Sequence, residues 1–168
     1  MQVWKMETYY LWPILTVLTI LGLSYRNRSS LDSEKFAEIA LLSILTVQVG
    51  LGSLWAFLGH AFMPDVIATY IGWPTGSPFQ LEVAFANLSF GVMGLLSWKF
   101  RGEFWMATII GFSVFYLGAA YGHIMDALIN LNYSPGNIGA PLYIDIVIPL
   151  LLILLLVYHR KFSRKSQG

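Results

Sequence analysis

Cysteine is absent from this chain of 168 residues, which excludes disulfides, thiolate metal sites and cysteine nucleophiles. Charge is almost as scarce. Asp, Glu, Lys and Arg make up 11% of the residues, against about 25% in soluble domains. The net charge is +1, and there is no basic stripe, Gly-rich phosphate loop or zinc-finger spacing, so nucleic acid is not an expected partner. HExxH, a nucleophile elbow and a glycosidase-like carboxylate pair are missing too, and whether the protein is an enzyme stays open. What fills the chain is apolar: 57% of residues are hydrophobic and the mean hydropathy is +0.64. The expected class is an all-α integral membrane helical bundle in a lipid bilayer, a single domain over residues 1–168.

A membrane-crossing helix takes roughly 20 apolar residues, with a range of about 17–25. Five segments qualify, at about residues 9–25, 39–63, 79–98, 104–130 and 142–158. The stretch PDVIATYIGWPTGSP reads as an interfacial loop with one short helical turn at Asp65–Tyr70, and LNYSPGNIGAP reads as a Pro/Gly/Asn loop. Basic residues set the direction. Arg26, Arg28 and Lys35 fall in the first connection, Lys99 and Arg101 in the third, and Arg160, Lys161, Arg164 and Lys165 after the last span. Only Lys5, in the N-terminal tail, falls elsewhere. Alternating spans then give a multi-pass cell-membrane protein with its N-terminus outside and its C-terminus cytoplasmic. Arg26 and Arg28 follow the first apolar run instead of preceding it, so that run reads as a retained helix and not a signal peptide. Trp4, Trp12, Tyr70, Trp73, Tyr133 and Tyr143 are expected at the outer interface, and Tyr25, Trp98, Trp105 and Tyr158 at the inner one.

Against this background the ionisable residues inside the spans stand out. Glu82, Asp126 and Asp145 lie in apolar stretches with His60 and His123 and without any Lys or Arg. Such carboxylates are costly in hydrocarbon unless paired, protonated or bound to a cation, and mark candidate functional sites. At ~1.5 Å per residue, His60, Glu82 and Asp145 lie about 5 Å below the outer boundary, and Asp126 and His123 roughly 6 and 10 Å below it. His123, Asp126 and Asn130 share a helical face, Gln48, Gly52, Ala56 and His60 form a small-polar ridge, and Asn87 shares a ridge with Gly91 and Gly94. Gln48, Asn87 and Asn130 are therefore expected as supporting polar groups. Gly118 and Gly122 form a small-xxx-small pair, so spans two to five are expected to pack tightly as a four-helix core, with the first span peripheral. Pro141 and Pro149 bracket Asp145, and Pro149 frees the Asp145 carbonyl.

If His60, Glu82, His123, Asp126 and Asp145 converge, their nitrogen/oxygen donor set suits Zn, Fe, Mn, Ni or Cu. A bis-imidazole haem between His60 and His123 ranks below that. Proton or cation handling for transport is the second chemistry, and general-base catalysis by His123 the third. Blander readings compete. Asp145 and Glu82 could be helix-start acids, His60 an interface residue, and His123 and Asp126 a mutual hydrogen bond without further role. A structural or assembly subunit, joined to a second copy or another membrane subunit, would carry no chemistry. The sequons at Asn27, Asn87 and Asn132 read as chance matches.

LEVAFANLSFGVMGLLS (81–97), FYLGAAYGHIMDALINLNYSPGN (115–137) and LYIDIVIPL (142–150) contain Glu82, Asn87, His123, Asp126, Asn132, Gly136, Asn137 and Asp145. Through these stretches residues 50–158 or so resemble an uncharacterised family of small prokaryotic integral membrane proteins, a domain of unknown function. The resemblance implies a four-helix core with an optional first helix, and transfers no mechanism. A looser similarity to four-helix DoxX-like proteins rests on helix count alone.

Overall fold

A computed structural model describes residues 9–165, with side chains through Lys161. Trp4 and Lys5 lie outside the described residues, as do the side chains of Arg164 and Lys165. Helix α1 (Leu11–Arg26) and a 3₁₀ turn (Arg28–Ser30) lead into α2 (Ser33–Ser43), which continues through a π-helical segment (Ile44–Leu51) into α3 (Gly52–Phe62). Short α4 (Pro64–Ile71) precedes α5 (Phe79–Leu96) and α6 (Glu103–Ile129); short α7 (Pro135–Ile138) precedes α8 (Ala140–Lys165). No strand occurs among the described residues. Four continuous stretches, Ser33–Phe62, Phe79–Leu96, Glu103–Ile129 and Pro135–Lys161, are long and apolar enough to cross a membrane. Helix α1 is apolar but has 16 residues, below the usual crossing length.

Local chemistry accounts for the boundaries. The second span begins at Ser33, ahead of the apolar run, because Asp32 caps it by accepting from the Lys35 backbone N–H at 2.7 Å. Glu38, in that polar start, is matched by Lys35 and Arg101. Pro64 fits the first position of α4, and Gly72, at φ +86°, ends it. Ser134-Pro135 likewise starts α7, a helical turn inside the stretch expected to be loop. Asn132 is bonded to Ile71 O and Asp126 Oδ2, consistent with a chance sequon.

Helix α5 lies along the π-helical segment and α3, while α8 packs on both α2 and α6. The shared core includes Leu45, Val49, Phe90, Ile109, Phe112 and Leu152. Helix α1 rests on α2 and the π-helical segment, with Thr16 its buried residue. Within the membrane-length helices the tightest approach at a glycine is at Gly94, where a Cβ would lie 2.6 Å from both Gly50 Cα and Leu45 O. Gly118 and Gly122 behave otherwise: a Cβ on either meets nothing within 4 Å, so that small-residue pair does not mark a close helix contact.

Among the described residues the basic side chains gather at one end. Arg101 reaches Glu38 across the bundle, and Arg160 pairs with Glu103 at 2.7 Å. Trp105, expected as an interface aromatic, is instead 2% exposed, because its indole N–H donates to the Ser97 carbonyl at the end of α5. Tyr25 and Trp98 are exposed at this end.

Candidate functional site

Opposite the basic end, two connections lock together over the bundle. Asn132 donates to the Ile71 carbonyl at 2.9 Å, tying the second inter-span connection to the fourth. Gly136 packs so closely on α4 that a Cβ would lie 2.6 Å from the Tyr70 carbonyl oxygen. Beneath these loops lies a cavity of about 470 Å³, within the size range of small-molecule sites. Its walls are mostly aromatic and aliphatic: Trp12, Trp55, Phe112 and Phe115 face it, with Tyr116 among the polar exceptions.

Of the five expected site residues, His60, His123 and Asp145 line this cavity, and Glu82 and Asp126 do not. Glu82 is exposed in the first turn of α5, where a negative charge suits the helix dipole. Asp126 turns outward and accepts from Asn130 at 2.7 Å, Asn132 at 2.6 Å and the Trp73 indole at 3.1 Å. It braces the loops and makes no bond to His123. Three residues of helix separate the two by about 60° of azimuth, enough near a helix end for one to face the bundle and the other its rim. The five-ligand metal set is thus not assembled; among the described residues no three His, Asp or Glu come together in a metal-binding group. His60 Nδ1 instead faces Gln80 Oε1, so the side chains that meet there are an imidazole and an amide.

Of the supporting residues, Gln48 and Asn87 line the cavity, whereas Asn130 serves Asp126. Asn87 accepts from Tyr116 Oη at 2.6 Å, and that hydroxyl lies 3.3 Å from Ser53 Oγ. Gln48 is buried and its Oε1 has no hydrogen-bond partner.

The chemistry concentrates at His123 and Asp145. Asp145 is 8% exposed and lies beyond the first turn of α8, which contains no acid, so it is not a helix-start residue. Helix α8 runs unbroken through the buried Pro149. Since proline has no N–H, the Asp145 carbonyl lacks its helical donor. His123 is held from the loop above. Asn137, fully buried, donates through Nδ2 to the His123 carbonyl at 3.1 Å and the Asn132 carbonyl at 2.8 Å. Its Oδ1 must therefore accept from His123 Nδ1–H at 2.7 Å. That tautomer leaves a lone pair on Nε2, which points toward Asp145 Oδ2 at 3.9 Å, too far for a hydrogen bond. Trp73 stacks on the imidazole with centroids 5.8 Å apart, and Asp126 holds its indole in turn. Asp126 is thus a positioning residue. Asn137, Trp73 and Gln80 complete the site although helical depth gives no hint of them.

The sequence model of a family of unknown function, DUF6790, matches residues 6–165. The chain belongs to that family. The match takes in the first helix as well as the four-helix core, more than the residues 50–158 that carried the resemblance. Neither curated proteins nor solved structures give a match. In this DUF6790 protein Asn87, His123, Asn132, Gly136, Asn137 and Asp145, all within the stretches that carried the resemblance, are among the residues gathered at the cavity and its covering loops.

Proposed function

We propose that this DUF6790 protein binds a cation within its membrane bundle, with Asp145 as the counter-charge and His123 as its proton partner. One observation carries the reading. Asp145 faces an apolar cavity with no Lys or Arg in its lining and no hydrogen-bond donor on its carboxyl group among the described residues. Burial of that kind is tolerated when a proton or a bound cation neutralises the charge. Before a cation enters, a single proton makes the pair neutral, as a carboxylic acid beside an imidazole. Zn, Fe, Mn, Ni or Cu would need further nitrogen or oxygen ligands that the cavity does not bring together. By the basic-residue rule the cavity end faces outward and the Arg101–Glu38 end faces the cytoplasm.

Infrared spectroscopy of the reconstituted protein across pH tests the proton partnership. A carboxylic-acid C=O band is expected near neutral pH, absent in Asp145→Asn and displaced in His123→Gln. A spectrum that Asp145→Asn leaves unchanged at every pH overturns the reading.

A further inference from the structure

Resting on that cation reading, we infer that the ligand is an organic ammonium ion with an apolar body. Its charged nitrogen would sit on Asp145 and its body against the aromatic walls, displacing the proton of the Asp145–His123 pair. The argument starts from what the cavity offers. The Asp145 carboxyl group faces it without a hydrogen-bond donor among the described residues, and two lining residues beside it, Gln48 and Trp12, carry a buried Oε1 and a buried Nε1–H without partners. A ligand that satisfies the carboxyl group must bring a hydrogen-bond donor, and an ammonium brings its N–H groups together with the positive charge that the lining lacks. Trp12, Trp55, Phe112 and Tyr116 present aromatic surface, which attracts cations of low charge density and excludes water from a carboxylate pair. A small inorganic ion would keep its hydration shell against such walls. The volume of about 470 Å³ has room for a body well beyond a single ion.

Charge balance follows. Before binding, the pair is neutral with one proton. Entry of R–NH₃⁺ brings one positive charge, the proton held by the Asp145 carboxyl group leaves to water, and the site stays neutral with an ammonium–carboxylate pair. Asp145 is faced by His123 and Tyr116 from α6 and by Tyr9 ahead of α1, with His60 of α3 in the same cavity. Trp73, 38% exposed and stacked on His123, stands where the cavity meets the covering loops.

The test uses the detergent-purified full chain with phenethylammonium, the neutral alcohol 2-phenylethanol as its shape match, and Zn²⁺ as three separate probes. Titration calorimetry in two buffers of different ionisation enthalpy reads both affinity and proton release. Expected are binding of the ammonium with about one proton released per ligand, and a loss of at least about thirtyfold in Asp145→Asn, as for a buried charge left without its partner. Asp145→Glu, which keeps the charge, retains binding, and unchanged elution and thermal transitions of both variants show that they fold. Equal binding of the neutral alcohol, equal binding to Asp145→Asn, or Zn²⁺ binding at one per chain without ammonium binding overturns the inference. The infrared band then separates the two failures. If it persists and depends on Asp145, the proton partnership stands and only the ligand class is wrong; if it is absent, both fall.

Discussion

Gly94→Val loses about 3 kcal/mol of stability, the upper end for forced overpacking, because the added carbons have nowhere to go. Even a Cβ at Gly94 falls 2.6 Å from Gly50 Cα and Leu45 O, and both are backbone atoms that no rotamer change can move. Helix α5 must then separate from the π-helical segment along the contact that joins Phe90 to Leu45 and Val49. For a chain of this size the loss corresponds to a fall of roughly 6–12 °C in the thermal midpoint, read by thermal unfolding in detergent. Gly122→Ala is the matched comparison: its Cβ meets nothing within 4 Å, and alanine is the better helix former, so the midpoint holds or rises. Equal effects of the two substitutions would show that the close approach of Gly94 to Gly50 is not what holds α5 in place.

The contrast between those glycines shows what a sequence of this kind discloses. Height along a helix is legible, since rise per residue is fixed and basic residues give the direction. Height alone puts His60, His123 and Asp145 at one level, and they share one cavity. Azimuth near a helix end is not legible. Glu82 and Asp126 have the right height, yet one stays exposed in the first turn of α5 and the other turns to the loops. Glycine spacing fails for the same reason: Gly118 and Gly122 share a face, but no helix comes close to it. The π-helical segment escapes any pattern that assumes 3.6 residues per turn throughout. The span's start at Ser33 escapes apolar patterning because its first turn is polar and held by a cap, not by apolar burial.

Loops account for the remainder. Asn137 lies in a Pro/Gly/Asn stretch whose composition predicts a turn, and composition carries no partner information. One signal was available: Asn132, Gly136 and Asn137 all fall in the stretches that resemble the family, beside His123. Their role becomes plain only when the fourth connection folds back over α6 and meets α4. The site is therefore built from helices that supply charge and loops that supply geometry.

Asn137→Leu tests that division and is expected to lose about 3 kcal/mol or more, since each orphaned buried group costs about 1–3 kcal/mol. It removes two donors and one acceptor at a fully buried position, leaving the His123 carbonyl, the Asn132 carbonyl and His123 Nδ1–H without partners. Stability alone would not distinguish a packing role from a positioning one. Nitrogen-15 NMR of labelled histidine does, because in the parent protein Asn137 fixes His123 with hydrogen on Nδ1 and the lone pair on Nε2. The substitution frees the ring, and an Nε2–H form should appear that is absent from the parent spectrum. Asn137→Asp separates the contributions further. It keeps an acceptor for Nδ1–H but cannot donate to either carbonyl, so it should preserve the tautomer while losing much of the stability. A parent-like His123 signal in Asn137→Leu would show that the imidazole is oriented by something other than this amide, and the proton partnership with Asp145 would lose its geometric basis.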